Sequence, residues 1–191
     1  MRFKLIILSI FILLVSQSGT LAKKHPHHKL GISFSTISGT GLAYQIDLDR
    51  HNSFQFTLMP YYTGSDADKN LNLTIISGLE YRRTIYRDSE NKIYGFAAAS
   101  LWYFEKNEVE IINPNTDLER EISLYDKDVY HNLGVGVGYD YTLNQVVSFN
   151  FNLGLQYQST TNDSYLNFLE RTDGNSSFLG LGGGVGILFH L

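Results

Sequence analysis

A period of two dominates this chain and leaves it few folds to choose from. Between Val147 and Gln158, Val147, Phe149, Phe151, Leu153, Leu155 and Tyr157 share one face. Ser148, Asn150, Asn152, Gly154, Gln156 and Gln158 share the other. Successive side chains of a β-strand point to opposite sides of the sheet, so such a run specifies a strand with one greasy and one polar face. The preceding segment repeats the pattern, with Leu133, Val135, Val137, Tyr139, Tyr141 and Leu143 opposing Asn132, Gly134, Gly136, Gly138, Asp140 and Thr142. Only Asn144-Gln145 separates the two runs, a spacing that predicts a tight hairpin. At the C-terminus Leu179, Leu181, Val185, Ile187, Phe189 and Leu191 oppose Gly180, Gly182, Gly184, Gly186 and His190. Five earlier segments read as strands: Lys29–Ile37, Gly41–Asp49, Ser53–Tyr62, Leu71–Ile85 and Lys92–Glu105. In the fifth, Tyr94, Phe96, Trp102 and Phe104 are expected to face outward, although Ala97 to Ala99 blurs the alternation.

Eight strands in sequence predict an all-β fold, an eight-stranded antiparallel up-and-down transmembrane β-barrel over 29–191. The connections agree with it. The second, fourth and sixth (Arg50–Asn52, Tyr86–Asn91, Asn144–Gln145) are short. Of the first, third, fifth and seventh (Ser38–Thr40, Thr63–Asn70, Lys106–Asp128, Ser159–Ser177), all but the first are long. Membrane barrels pair short periplasmic turns with longer outer loops, which puts both chain ends in the periplasm. A lipocalin-like soluble barrel also has eight alternating strands, but it covers its outside with water-loving side chains. The polar faces here are Gly, Ser, Asn, Gln and Thr. Small residues suit a crowded interior, whereas Gly on a solvated strand weakens it for no gain. Phe54, Tyr81, Tyr139, Tyr141 and Tyr157 fall near strand ends, where aromatic girdles sit at membrane interfaces.

The N-terminus reads as an export signal. Arg2 and Lys4 precede the apolar run Ile6–Val15, and Thr20-Leu21-Ala22 offers small residues for cleavage. Residues 1–22 are therefore expected to be a signal peptide and 23–28 a His/Lys-rich periplasmic leader. The apolar run is too short to span a bilayer as a helix, which takes roughly 20 residues. The chain contains no cysteine, which removes disulfides and thiolate metal sites from consideration. A net charge of −4 gives no electrostatic reason to bind nucleic acid.

The C-terminal Gly186-Ile187-Leu188-Phe189-His190-Leu191 resembles the assembly signal of bacterial outer-membrane barrels, a Gly followed by alternating hydrophobic residues up to the chain end. It departs in ending on Leu191 rather than an aromatic, and in having Gly184 where a polar residue is usual. With the signal peptide and the opening Gly31-Ile32-Ser33-Phe34-Ser35-Thr36 and Ser38-Gly39-Thr40-Gly41-Leu42, the mature chain resembles the OmpX/OmpA-like small outer-membrane barrels. The resemblance implies residence in the outer membrane and insertion by the barrel-assembly machinery, with Gly186, Phe189 and Leu191 in the recognised strand.

Candidate functional residues are few. Lys29, Asp47, Glu80, Arg82 and Asp140 fall on polar faces and are expected to form a charge network in the lumen. Eight strands leave an interior that side chains just fill, so charge pairing is favoured over an ion passage. His25, His27 and His28 carry metal-binding imidazoles, but a leader ahead of the first strand is more simply a solvated tail, and no cofactor or metal is expected. His131 lies near the outer end of the sixth strand. Lipid A deacylases of barrel form carry His-x-Ser, and Asn132-Leu133 breaks that motif. Ser148 and Ser159 have no base placed by spacing. His51 and His190 fall at the opposite end. The Gly180–Gly186 run lacks the Lys-Ser/Thr ending of a phosphate loop. The segment Lys106–Asp128 carries Glu108, Glu110, Asp117, Glu119, Glu121, Asp126 and Asp128 against Lys106, Arg120 and Lys127. It is the expected contact for an extracellular partner, or for Ca²⁺ among lipopolysaccharide phosphates, although such charge more commonly just keeps a loop solvated. The reading is a non-enzymatic outer-membrane barrel with a structural or surface-interaction role, in contact with outer-membrane lipids. Its rivals are a narrow channel for small or hydrophobic solutes and a lipid A-modifying enzyme.

Overall fold

The structure, a computed structural model, describes residues 27–65, 70–112, 120–143, 145–166 and 170–191. The signal segment 1–22 and leader residues 23–26, His25 among them, lie outside the described residues, as does 113–119 of the acidic segment. Eight strands follow in chain order: β1 (His27–Ser35), β2 (Gly41–Asp47), β3 (Asn52–Ser65), β4 (Asn70–Arg87), β5 (Asn91–Ile112), β6 (Arg120–Leu143), β7 (Val147–Leu166) and β8 (Glu170–His190). Each pairs antiparallel with the next, and β8 returns to β1, closing the barrel. Ladder partners lead from Lys29 through Gln45, Gln55, Glu80, Ala98, Gly134 and Gln156 to Gly180. Extending the β8–β1 register then returns the path to position 39, a stagger of ten residues. That stagger tilts the strands and sets an interior about as wide as the side chains within it.

The faces are inverted relative to a water-soluble protein. Twenty polar or charged side chains are buried among the described residues, against seven apolar ones. Large apolar side chains such as Phe34, Leu58, Val135, Leu153 and Ile187 lie exposed on the outer wall. The alternation in β6, β7 and β8 therefore sends Gly, Asn and Gln inward, as the sequence indicates.

β5 corrects that reading at one place. Tyr94 and Phe96 are buried inside, and Trp102 and Phe104 share their inward face. The reason lies across the ladder. Tyr94 pairs with Gly138, Phe96 with Gly136 and Ala98 with Gly134. A Cβ at Gly138 would collide with the Tyr94 ring, and one at Gly136 would lie 2.8 Å from Phe96 Cε1. Large inward residues on β5 thus use volume that β6 leaves empty, and β5 turns Ala97, Ala99 and Leu101 outward instead.

The long connections are also shorter than expected. Much of Lys106–Asp128 and of Ser159–Ser177 belongs to strands: β5 continues to Ile112, β6 starts at Arg120, and β7 and β8 extend to Leu166 and back to Glu170. Polar strands standing in water carry no apolar period, so their pairing is invisible to a hydrophobic pattern.

The first connection departs most. Thr36–Thr40 does not cap the wall; it folds inward. Ile37 and Ser38 are 0% and 1% exposed despite lying in a turn. The amides of Ile37 and Ser38 donate to Ser35 Oγ at 3.2 and 3.1 Å, and Thr57 Oγ1 donates to the Ser38 carbonyl at 2.6 Å. Gly39 and Gly41 have φ of 84° and 138°, values that L side chains rarely adopt. Gly78, Gly134 and Gly182 form the cradle: a Cβ on the first would strike the Ser38 carbonyl, and on the other two the Ile37 side chain.

Candidate functional site

At the end of the barrel with short turns, which also holds His27 and Leu191, inward side chains form a ladder of alternating charge. Gln45, Gln55 and Glu80 are ladder partners on β2, β3 and β4, Lys92 and Asp140 are partners on β5 and β6, and Arg82, two residues from Glu80 on the same face of β4, joins the two sets across the lumen. Arg82 is the hub. Its Nε lies 2.5 Å from Glu80 Oε1, and its Nη1 lies 3.5 Å from Asp140 Oδ1. Nη1 also donates to Gln45 Oε1 at 3.0 Å, and Nη2 to Gln55 Oε1 at 2.7 Å. The guanidinium stacks 4.6 Å from the Tyr94 ring centroid. Asn152 Nδ2 donates to the other Glu80 oxygen at 3.3 Å. Arg82, Glu80 and Asp140 are 0–1% exposed. Burying unpaired charge would cost several kcal/mol. Glu80 and Arg82 are hydrogen-bonded here, whereas the Asp140 oxygens accept no hydrogen bond and face the cations of Arg82 and Lys92 at 3.5 and 3.9 Å.

Lys92 extends the ladder toward the mouth. Its Nζ lies 3.9 Å from Asp140 Oδ2 and 3.5 Å from Ser53 Oγ. Asp47 accepts from Gln45 Nε2 at 2.7 Å. Lys29 and Asp47 line a vestibule of about 540 Å³ with Lys92, Asp140 and His190. Of the five charged residues singled out in the sequence, Glu80, Arg82 and Asp140 meet directly. Asp47 reaches Arg82 through Gln45, and Lys29 lies at the vestibule. Lys92 was missed, because it sits at the expected start of β5 and so looks like a turn residue. The amide dipoles of Gln45, Gln55 and Asn152 were missed too; a single polar residue on a polar face carries no signal of what it bonds.

Above this layer the tucked turn and β5 form an apolar plug of Ile37, Tyr94, Phe96 and Ala98. A polar chain runs beside it, Gln156 Nε2 donating to Asn132 Oδ1 at 2.9 Å and Asn132 Nδ2 to Ser100 Oγ at 3.2 Å.

One nucleophile–base pair appears that spacing did not reveal. Ser148 Oγ and His190 Nε2 are 2.5 Å apart, and Thr142 Oγ1 is 3.0 Å from the same hydroxyl. Ser148 is 0% exposed, so no substrate reaches its oxygen, and the trio ties β6, β7 and β8 together at the mouth. His131 faces outward on β6, paired in register with Ser159. His28 Nδ1 is 2.6 Å from the Tyr44 hydroxyl, which engages one imidazole of the leader with the barrel wall. Tyr81 and Tyr139 hydroxyls donate to Asn52 and Asn91 beside the short turns.

No family model matches the chain, and no curated protein matches it. Among solved structures it is similar to outer-membrane β-barrel proteins. A major outer membrane protein from Thermus thermophilus is 13% identical, over 86% of this chain and 98% of that one, with a TM-score of 0.47. Acinetobacter baumannii CarO is 9% identical, over 87% and 98%, with a TM-score of 0.43. The N-terminal β-barrel domain of Pseudomonas aeruginosa OprF is 12% identical, over 86% and 96%, with a TM-score of 0.36.

Proposed function

We propose that this protein is an integral outer-membrane barrel with a structural or surface-interaction role and no catalytic one, its termini in the periplasm and its long hairpins outside. The observation that carries this reading is the inversion of faces. A soluble barrel with so many exposed Leu, Val, Ile and Phe side chains and a charged interior would be driven to aggregate. In a bilayer the same arrangement is favourable, because hydrocarbon meets the apolar wall and closure leaves few backbone groups unpaired. The Arg82 layer and the inward turn, stacked one above the other, argue for a lumen closed to solutes. The tall hairpins β5–β6 and β7–β8, with acidic Asp126 and Asp128 on β6, are the surface offered to an extracellular partner. The barrel-assembly machinery would insert the chain through β8, with Gly186, Phe189 and Leu191 in the recognised strand.

The test is refolding. The purified chain folds in detergent or lipid, with a heat-modifiable shift on gels, and aggregates in plain buffer. A folded monomer in detergent-free buffer would overturn the reading. Sustained single-channel conductance in planar bilayers would instead reject the closed lumen. Altered lipid A acylation on expression, lost in His131→Ala, would reject the non-enzymatic role.

A further inference from the structure

The barrel wall is not equally tall all round. β1 stops at Ser35 and β2 begins at Gly41, while β5 and β6 run to Ile112 and from Arg120. The β8 ladder to β1 ends at Gly184; beyond it the Thr36 amide and hydroxyl donate to the Gly183 carbonyl and the Gly183 amide donates to Thr36 Oγ1. The β2–β3 ladder ends at Leu42 and Leu58. Beyond these points, among the described residues, β8 from Gly182 to Glu170 and β3 from Met59 to Ser65 have no strand on the side where β1 and β2 would continue. A notch two strands wide, roughly 14 Å along the sheet, separates them. Pro60 sits on the open stretch of β3, as proline does on strand edges, where a missing N–H costs no ladder bond.

The notch lies at the level of the apolar wall. Leu179 and Leu181 on β8 are 72% and 75% exposed, among the most open apolar residues of the molecule, and Tyr62 faces out on the β3 side. Inside, above the tucked turn, β5 and β6 contribute Trp102, Phe104 and Tyr130, while Thr74, Asp128, Gln158 and Thr160 share the same inward faces. Trp102, Phe104 and Tyr130 contact one another edge to face, with ring centroids 6.4 and 5.7 Å apart. Buried Ile76 shares this inner surface. Tyr61 and Phe178, on the inward faces of the two edge strands, flank the gap and are 56% and 58% exposed. The Trp102 Nε1 is buried without a hydrogen-bond partner.

We propose that an acyl chain of an outer-leaflet lipid enters sideways between β3 and β8 and lies along the Trp102, Phe104 and Tyr130 side of the lumen, above the tucked turn. The inference rests on the membrane-spanning reading. Continuity with the lipid-facing wall selects the occupant: the gap meets hydrocarbon first, and a bare strand edge facing hydrocarbon leaves backbone groups unsatisfied. An amphiphile meets both demands. Its chain covers the rings, and its polar head hydrates the strand edges.

The chain contains a single tryptophan, Trp102, which makes the test direct. The whole barrel is placed in nanodiscs of phosphatidylcholine brominated at mid-chain, and quenching of tryptophan fluorescence is measured. A Leu101→Trp/Trp102→Phe variant provides a lipid-facing comparator, Leu101 being exposed on the outer wall. Quenching of Trp102 comparable with the comparator is expected. It should fall about twofold or more in Tyr61→Asp/Phe178→Asp, whose carboxylates resist desolvation at the entrance. Quenching that is weak in the wild type, or unchanged by the entrance charges, would overturn the proposal while leaving the membrane reading intact. A comparator that is itself unquenched would overturn both.

Discussion

At the scale of single residues, the interior tolerates neither a lost charge partner nor an added carbon. Arg82→Met would strand Glu80 as a buried carboxylate without its cation and leave Asp140 to Lys92, a change that typically costs about 3–5 kcal/mol. The expected result is a large loss of stability in urea titrations of the bilayer-inserted barrel. The double variant Arg82→Met/Glu80→Gln should recover most of it, because Asp140 keeps Lys92 and no buried carboxylate is left without a cation. If the double variant is as unstable as the single one, Arg82 acts through packing against Tyr94 and not through charge. Gly78→Ala tests the tucked turn. Its Cβ would collide with the Ser38 carbonyl, so the turn must shift, at a cost of about 1–3 kcal/mol typical of overpacking. Gly95→Ala, whose Cβ would have ordinary room, should leave the same titration nearly unchanged.

At the scale of elements, the short turns and tall hairpins behave differently. Asp49 accepts from the amides of His51 and Asn52 at 2.6 and 2.8 Å, and Asp88 from those of Glu90 and Asn91 at 2.9 and 2.6 Å. Hydrogen bonds from Asn52 and those amides hold the Asp49 carboxyl below the usual carboxylate range, and amides of Asn91 and Glu90 do the same for Asp88. A folded-state value below the unfolded one contributes stability above the unfolded value, near pH 4, and loses it as pH falls through the folded value. Unfolding titrations should therefore show a loss of stability below about pH 4 that shrinks in Asp49→Ala/Asp88→Ala; an unchanged acid limb would mean other carboxylates dominate it. In the tall hairpin, β5–β6 pairing continues past Phe104–Asp128 to Ile112–Arg120. Amide exchange should show slow exchange around Gly95–Val137 and faster, still protected exchange around Lys106–Asp126. Unprotected amides from Lys106 onward would restore the loop expected from sequence.

At the scale of the whole molecule, closure between β1 and β8 decides whether the chain can occupy hydrocarbon at all. Ile32→Pro, in the middle of the Lys29–Ser35 ladder to β8, should abolish the heat-modifiable folded form on gels, and survival of that form would show that the seam is dispensable. The strand number, the faces of β6, β7 and β8, and the inward direction of Glu80, Arg82 and Asp140 were all legible in the sequence. They follow from a period of two, which is a local property of consecutive residues. The inward faces of Tyr94 and Phe96, the part played by Lys92, and the Ser148–His190 contact were not legible. Each depends on what stands opposite on another strand, and register between distant segments leaves no mark within either one. The inward fold of Thr36–Thr40 belongs to the same class. A three-residue gap between two strands looks like any hairpin, and only glycines at 78, 134 and 182, on three other strands, make the space that draws Ile37 into the barrel. Alternation thus determined which side of β6, β7 and β8 meets lipid, and the assembled cross-section alone decided the faces of β5 and what fills the centre, because volume is shared by all eight strands at once.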